Sequence, residues 1–573
     1  MAIVGDRAYW EADTEGTVLL DMTIGDMFDA AVSAAGDREA VVYDYPDLDI
    51  VLRLSYRDLD EEVRRLAKGL MSLGVERGDK VAVLAPNLPQ WLFLEVALAK
   101  IGAILVTVNT GYKQAELAYL LENGDIKVLF TVESYRGNSF MASLHNLVPE
   151  LLHCADPVRQ PLRSARLPCL RQVVLLERGA EFPGCLSYQA VLDLAGQVSD
   201  AQLRERQVAV LPHDVVQIQY TSGTTGAPKG VMLTHHSTLN NAMLTSRRLP
   251  FGEAERFLCT MPLFHTAGCV VDVLSTLLNR GTLIMSVWFD VRKVLELIHN
   301  ERPSIINMVP TMLIALLNDE GFQQGRYHTG SIRKMLTGGT SIPIVLIEEV
   351  AQKIGANPTI VLGLTETSPI VCSTFSDDSF ERKSSTVGKP LPHTSVRIVE
   401  PETGEVVGLG EPGEIQVKGY LLMKGYYMMP DKTEQAIDAQ GWLHTGDLGS
   451  MDAEGYVRMI GRLKDMIIRG GENIYPVEIE EFLLRHAGVA EAAVVGVPDD
   501  YMGEEAVAIV RRQPGVDLDE ERLRVYCRQG ISRYKVPKYY LFVEAFPLTP
   551  SGKFKKNELR SYAAEQLGLT IPG

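Results

Sequence analysis

Between Tyr220 and Gly230 the chain reads Tyr-Thr-Ser-Gly-Thr-Thr-Gly-Ala-Pro-Lys-Gly. Glycines let backbone N–H groups approach an anion closely, and the hydroxyls and the lysine add donors and positive charge. That composition makes a phosphate cradle. It is not a Walker A loop, which needs Gly, four residues and then Gly-Lys-Ser/Thr opening a helix; here Lys229 is followed by Gly230. A solvated hairpin loop is the plain alternative, and the length and order of this one argue against it. Further polar clusters recur along the chain. Met261-Pro262-Leu263-Phe264-His265 puts a histidine after an apolar run. Leu336-Thr337-Gly338-Gly339-Thr340 ends a strand in paired glycines, where backbone could meet a flat ligand. Val361 to Thr367 sets Glu366 and two hydroxyls at another strand end, suited to Mg²⁺ and phosphate. Trp442 to Asp447 supplies a carboxylate suited to two vicinal hydroxyls, such as those of a ribose. Phe546 to Lys553 carries a lysine on a loop near the C-terminus. Each cluster alone has a bland reading: a core histidine, a turn-stabilising aspartate, a solvated lysine beside Lys555 and Lys556.

The elements that must position these residues follow from apolar patterning. Val215 to Tyr220 and Val231 to Thr234 read as strands on either side of the polar loop. Val81–Leu84, Val128–Phe130 and Gln172–Leu176 read as buried parallel strands. Leu59–Leu73 and Val291–His299 have helical spacing, and Trp91–Val108 reads as a buried helix leading into a strand. This alternation predicts layered α/β sheets. Arg136–Arg171, rich in Pro, Arg and His, reads as a surface excursion. From 388 to 460 short strands alternate with glycine turns, which predicts a β-rich subdomain. Gly408–Gly413 matches Gly-x-Gly-x-x-Gly, but it contains Pro412 and leads into a strand, whereas the dinucleotide fingerprint must open a helix. After Gly461-Arg462-Leu463-Lys464-Asp465 a compact α/β unit begins, with a helix over Pro476–His486 and strands over Glu491–Val497 and Ala506–Val510.

A chain of 573 residues is too long for a single core. A net charge of −17 argues against a nucleic-acid partner. The seven cysteines form no metal-binding spacing, and the N-terminus shows no signal-peptide pattern, so a reduced, cytoplasmic protein without an integral membrane segment is expected. A homo-oligomer is compatible with the sequence and not required by it.

Taken together and in this order, the clusters resemble the adenylate-forming superfamily of acyl-CoA synthetases, luciferases and peptide-synthetase adenylation domains. The resemblance runs from about Thr23 to Leu559. It includes the loop at 220–230 and the hinge and post-hinge stretch Gly461–Pro476. The flavour of Met466–Pro476, Tyr501–Glu505 and Tyr534–Lys538 is nearest to medium-chain-type fatty acyl-CoA synthetases. The resemblance implies an adenylation core over 1–463, with the β-rich subdomain inside it. It also implies a small mobile α+β lid over 464–573, hinged at Lys464. It implies ATP, Mg²⁺ and CoA, and two half-reactions on a hydrophobic acid: acyl-adenylate formation, then thioester formation. Thr221, Ser222, Gly223, Thr224, Thr225, Gly226 and Lys229 would cradle the β- and γ-phosphates. Lys553 would bridge the acid and the α-phosphate. Glu366 would hold Mg²⁺, with Thr365 near the α-phosphate and His265 beside the acyl carboxylate. Gly338, Gly339, Thr340, Leu362 and Gly363 would form the adenine slot, while Asp447 and Arg462 would take the ribose. Arg469, Gly470 and Gly471 would line a pantetheine tunnel. One departure is Leu362, where the family usually has an aromatic residue stacked on adenine; leucine has no π-face. Val270, Val271 and Ser368–Val371 are expected in the acid pocket. An amide-forming ligase or a carrier-protein loader would share the first half-reaction. A luciferase-type oxidase has no specific support, and a silent nucleotide binder would not need both Lys229 and Lys553. With no carrier domain expected after residue 573, a peptide-synthetase role in cis is the weaker expectation.

Overall fold

Strands buried on both faces need near-continuous apolar runs, and such runs build two large sheets. In the computed structural model, which describes residues 3–14, 16–154, 156–177, 179, 182–221, 228–338, 342, 344–470, 472–549 and 554–570, the first has eight strands. Its order is Cys185–Ser187, Gln172–Leu175, Ile126–Thr131, Lys80–Leu84, Ile104–Thr107, Val215–Thr221, Lys229–Thr234 and Gly425–Tyr426. The second has nine strands, running from Lys389–Pro390 through Ile370–Ser373, Asn357–Gly363, Lys334–Gly338, Ile305–Asn307, Arg256–Cys259, Thr282–Met285 and Glu39–Tyr45 to Ile50–Ser55. Pairing is parallel through the middle of both sheets, as expected for Val81–Leu84, Val128–Phe130 and the strand beginning at Gln172.

The helix Pro89–Ile101 buries every residue but Gln90. A helix that is apolar all round belongs in an interior rather than at a surface. One hydrophobic core includes this helix, Val81–Val83 of the first sheet and Leu283–Met285 of the second. The helices expected over Leu59–Leu73 and Val291–His299 are Tyr56–Ser72 and Val291–Glu301. No helix among the described residues is long and apolar enough to cross a membrane.

The segment 136–171 departs from its expected surface character. Its helix Phe140–Leu147 buries Phe140, Met141, Leu144 and Leu147 in the main core, joined by Val148, Leu151, Leu162, Leu167 and Leu170. The apolar residues are dispersed among Arg, Pro and His, so no window shows a clean period, yet these nine reach the same core, while Leu152 and Val158 stay exposed.

The β-rich region forms a five-stranded sheet ordered Tyr9–Trp10, Thr394–Val399, Gly413–Gly419, Leu443–Met451 and Val457–Arg462. It is less self-contained than its sequence suggests. Its first strand comes from the N-terminus, while Gly425–Tyr426 leaves it to pair with Lys229–Thr234. Gly413 opens a strand, in keeping with the rejected dinucleotide match.

Beyond residue 466 the chain makes a separate five-stranded sheet around the long antiparallel pair Val489–Asp499 and Gly503–Arg512. Alternate side chains serve opposite faces. Ala492, Val494, Ala506, Ala508 and Val510 pack with helices Pro476–Leu484 and Glu520–Gly530. Ala493, Val495, Val497, Val507 and Ile509 pack with Lys556–Gln566. Both faces are therefore covered by helices.

Candidate active site

The polar loop is held at its base by a β-hairpin. Tyr220 lies opposite Gly230 and Thr221 opposite Lys229 on antiparallel strands. Ser222, Gly223, Thr224, Thr225 and Gly226 lie outside the described residues. The Lys229 ammonium donates to the Tyr426 hydroxyl at 3.2 Å and sits 4.3 Å from the centre of its ring. The same hydroxyl donates to Glu366 Oε1 at 2.9 Å. Burial first, then the Glu366 carboxylate, pushes the Tyr426 phenol well above its ordinary pKa, so it stays protonated.

Glu366 sits in a single 3₁₀ turn, Thr365–Thr367, directly after the strand Asn357–Gly363. Its carbonyl accepts from the Met423 N–H at 2.8 Å. Ser368 closes the turn in the left-handed region and donates to the Leu421 carbonyl at 2.8 Å. Thr365 and Glu366 are thus pinned where the strand ends, against the segment that carries Tyr426.

Asp447 lies within the strand Leu443–Met451, opposite Arg462, rather than in a turn. It is 4% exposed, and Arg462 Nε stands 3.1 Å from its carboxylate. Its N–H donates to Thr445 Oγ1 at 3.0 Å. Gly338 pairs with Val361 on the adjacent strand, and a Cβ there would stand 2.4 Å from the Val361 carbonyl oxygen. Glycine is required at 338 by close strand approach. Gly339 and Thr340 lie outside the described residues. Leu362, 8% exposed, packs with Val371, Cys372, Val396, Ile415 and Leu421. Gly363 is exposed beside it.

His265 lies two residues before the start of the π-helix Ala267–Leu274, a helix type that recurs at functional sites. Its Nδ1 accepts from the Ala267 N–H at 3.1 Å, which places the proton of the neutral ring on Nε2. Lys464 lies in the turn Leu463–Asp465 that follows the strand bearing Arg462. Packing first, then the charges of Arg462 and Lys229, lowers the Lys464 amine from its ordinary pKa. Arg469 donates to the Tyr534 carbonyl at 2.8 Å and to Glu505 at 3.1 Å, both beyond residue 466. Gly470 has φ 59° and donates to the Met502 carbonyl at 2.8 Å. Gly471 and Lys553 lie outside the described residues.

A family model described as AMP-binding enzyme matches residues 28–427, and one described as AMP-binding enzyme C-terminal domain matches residues 478–553. The chain belongs to the AMP-binding enzyme family.

It is 42% identical over 553 residues to the putative acyl-CoA synthetase YngI of Bacillus subtilis, covering 96% of this chain and 99% of that one. It is 38% identical over 573 residues to the mitochondrial medium-chain acyl-CoA ligase ACSF2 of Mus musculus, covering 99% and 91%. The fold superposes with a TM-score of 0.80 on the crystal structure of ATP-bound MatB from Rhodopseudomonas palustris, at 28% identity, covering 95% of this chain and 100% of that one. The chain is an AMP-forming acid–thiol ligase. It activates a carboxylic acid with ATP through an acyl-adenylate and passes the acyl group to CoA.

The donor set of this AMP-binding enzyme fits Mg²⁺. Magnesium is commonly held by one or two carboxylates together with substrate phosphates rather than by an all-protein cage. Glu366 offers one such carboxylate, joined to Lys229 through the Tyr426 hydroxyl. Sequence reasoning missed Tyr426, which lies in Gly425-Tyr426-Tyr427, a stretch with no polar pattern to mark it. It also missed a buried chain behind His265. Gln217 donates to Glu95 at 2.9 Å, Gln219 donates to Gln217 at 3.0 Å and to Cys269 Sγ at 3.1 Å, and Cys269 reaches the His265 carbonyl at 3.4 Å. Burial pushes the Glu95 carboxyl well above its usual pKa and keeps it neutral. Two glutamines within an otherwise apolar strand were the available signal.

Proposed function

We propose that this ligase activates a medium-chain aliphatic or related hydrophobic acid, with the charged residues around Tyr426 and Asp447 serving MgATP. The observation that carries the reading is convergence at strand ends. Lys229 and Glu366, 137 positions apart in sequence, meet on one phenol, and the buried Asp447 pairs with the half-exposed Arg462 in the five-stranded sheet. The acid class rests on similarity to medium-chain ligases and on the apolar, buried Val270, Val271, Ile370 and Val371.

In the first half-reaction an oxygen of the acid attacks the α-phosphorus, and the bond to the bridging oxygen of pyrophosphate breaks. Such a displacement needs in-line positioning and charge compensation more than a base. Thr221 to Lys229 would hold the β- and γ-phosphates, and Lys553 would offset charge between the carboxylate and the α-phosphate. Thr365 would contact the α-phosphate, and His265, donating from Nε2, would orient the acyl carboxylate. Asp447 would accept from both ribose hydroxyls beside Arg462. Gly338 to Thr340 and Leu362–Gly363 would bound the adenine. Mg²⁺ on Glu366 would supply neutralisation of the triphosphate oxygens. In the second half-reaction the unit 464–573 would turn about Lys464 and bring Arg469, Gly470 and Gly471 alongside the pantetheine arm. The CoA thiol then attacks the acyl carbon, and AMP departs with the former carboxylate oxygen.

Pyrophosphate release, measured over acids of graded chain length with CoA and then with amines, tests the substrate and the acceptor. Dependence on a hydrophobic acid of intermediate length and on CoA is expected; release with an amine and not with CoA would overturn the acceptor. Lys553→Ala should abolish acyl-AMP formation and leave thioester formation from supplied acyl-AMP largely intact. Equal loss in both steps would remove the role assigned to Lys553.

A further inference from the structure

Lys229 and Glu366 carry opposite charges, and the hydroxyl of Tyr426 bonds to both, at 3.2 Å and 2.9 Å. We propose that Tyr426 is a positioning residue whose phenol keeps this lysine and this glutamate apart and aimed, so that a magnesium–triphosphate finds both charges available. The inference rests on the reading of Lys229 and Glu366 as the phosphate and metal groups.

The geometry allows one arrangement of the shared proton. An ammonium only donates and an ionised carboxylate only accepts, so the hydroxyl accepts from Lys229 and donates to Glu366. The ring is firmly placed. Tyr426 is 5% exposed, pairs with Val231 at the edge of the first sheet, and its N–H donates to Thr433 Oγ1 at 2.9 Å. Glu366 lies in the turn between two paired strands of the second sheet, so the phenol also ties that turn to the edge of the first sheet. Without the hydroxyl, a flexible lysine would close directly onto the carboxylate. Each would then neutralise the other, and an incoming triphosphate and its cation would have to break that pair. With the hydroxyl in place, Lys229 can turn to the phosphate while the phenol retains Glu366 through one oxygen and leaves the other for the cation.

Tyr426→Phe removes only the hydroxyl and keeps the ring beneath the ammonium. Loss of a hydrogen bond to a charged group corresponds to a roughly ten- to hundredfold weaker affinity for MgATP. The test is calorimetric titration of MgATP into the full-length wild type, Tyr426→Phe, Glu366→Gln and Tyr426→Phe/Glu366→Gln, with Tm recorded for each. The expected result is at least tenfold weaker binding for Tyr426→Phe at unchanged Tm, and a double variant no weaker than Glu366→Gln alone, because a neutral amide no longer captures the lysine. Thioester formation from supplied acyl-AMP should be unaffected. Binding by Tyr426→Phe within twofold of wild type, an additive double variant, or a fall in Tm that accounts for the lost binding would each overturn the inference. Lys229→Met and Glu366→Gln separate the two readings: if neither weakens MgATP, the assignment of the site falls; if both do and Tyr426→Phe does not, only the bridging role falls.

Discussion

Asp447→Asn isolates the charge of one buried carboxylate. The side chain keeps its shape, and the backbone tie to Thr445 is untouched. Two contributions change. The first is the pair with Arg462, whose side chain is 47% exposed, so its loss is worth no more than about 1 kcal/mol and leaves Tm within a few degrees. The second is the role proposed at the ribose. A carboxylate can accept from both hydroxyls at once, whereas an amide offers one acceptor and turns a donor toward the other hydroxyl. Losing one charge-assisted bond costs about 1.5–3 kcal/mol, or roughly 10- to 100-fold in affinity. The ribose is common to ATP and AMP, so both ligands should weaken by the same factor. Isothermal titration with each nucleotide reads this directly. An AMP affinity within threefold of wild type would remove Asp447 from the ribose site. Weakening of ATP alone would place its effect at the phosphates.

Leu362→Tyr should lower Tm, because overfilling the cluster around Val371 and Ile415 costs about 1–3 kcal/mol, while ATP affinity is unchanged or tighter; a large loss of affinity measured by titration would show that the slot is built around leucine. Lys464→Pro should leave acid-dependent ATP–pyrophosphate exchange in place and cripple thioester synthesis, and unchanged thioester synthesis would remove the hinge. His235 is buried, its Nδ1 accepting from the Ile24 N–H, and burial holds its pKa down at about 4 against 6.5 unfolded. Below pH 6.5 the unfolded chain takes up a proton that the fold refuses, so this contribution to stability is present above pH 6.5 and lost as pH falls toward 4. Between pH 6.5 and 5 it amounts to about 2 kcal/mol. Denaturant midpoints for wild type and His235→Gln should therefore converge as pH falls from 7 to 5, and parallel curves would refute the assignment.

Much of the fold is legible in the chain because local patterning reports local burial. The strands around the polar loop, the helix Tyr56–Ser72 and the alternating strands after residue 488 follow from spacing alone. So do the positions of Lys229 and Glu366, since short polar runs at strand ends stand out against apolar neighbours, whereas Asp447 falls inside the strand Leu443–Met451. The segment 136–171 was not legible, because its core residues are irregularly spaced and gain their burial from elements distant in sequence. Leu362 could be read as a missing aromatic, yet its packing against Val396 and Ile415 depends on how the five-stranded sheet meets the end of the strand Asn357–Gly363. Tyr426 shows the division most clearly. Residue type alone made Lys229 a cation and Glu366 a carboxylate. Only the departure of Gly425–Tyr426 from the β-rich sheet to the edge of the eight-stranded one set a phenol between them, 197 positions from one and 60 from the other. Pairing between distant strands is decided by sheet order and edge availability, and no local window of sequence contains either.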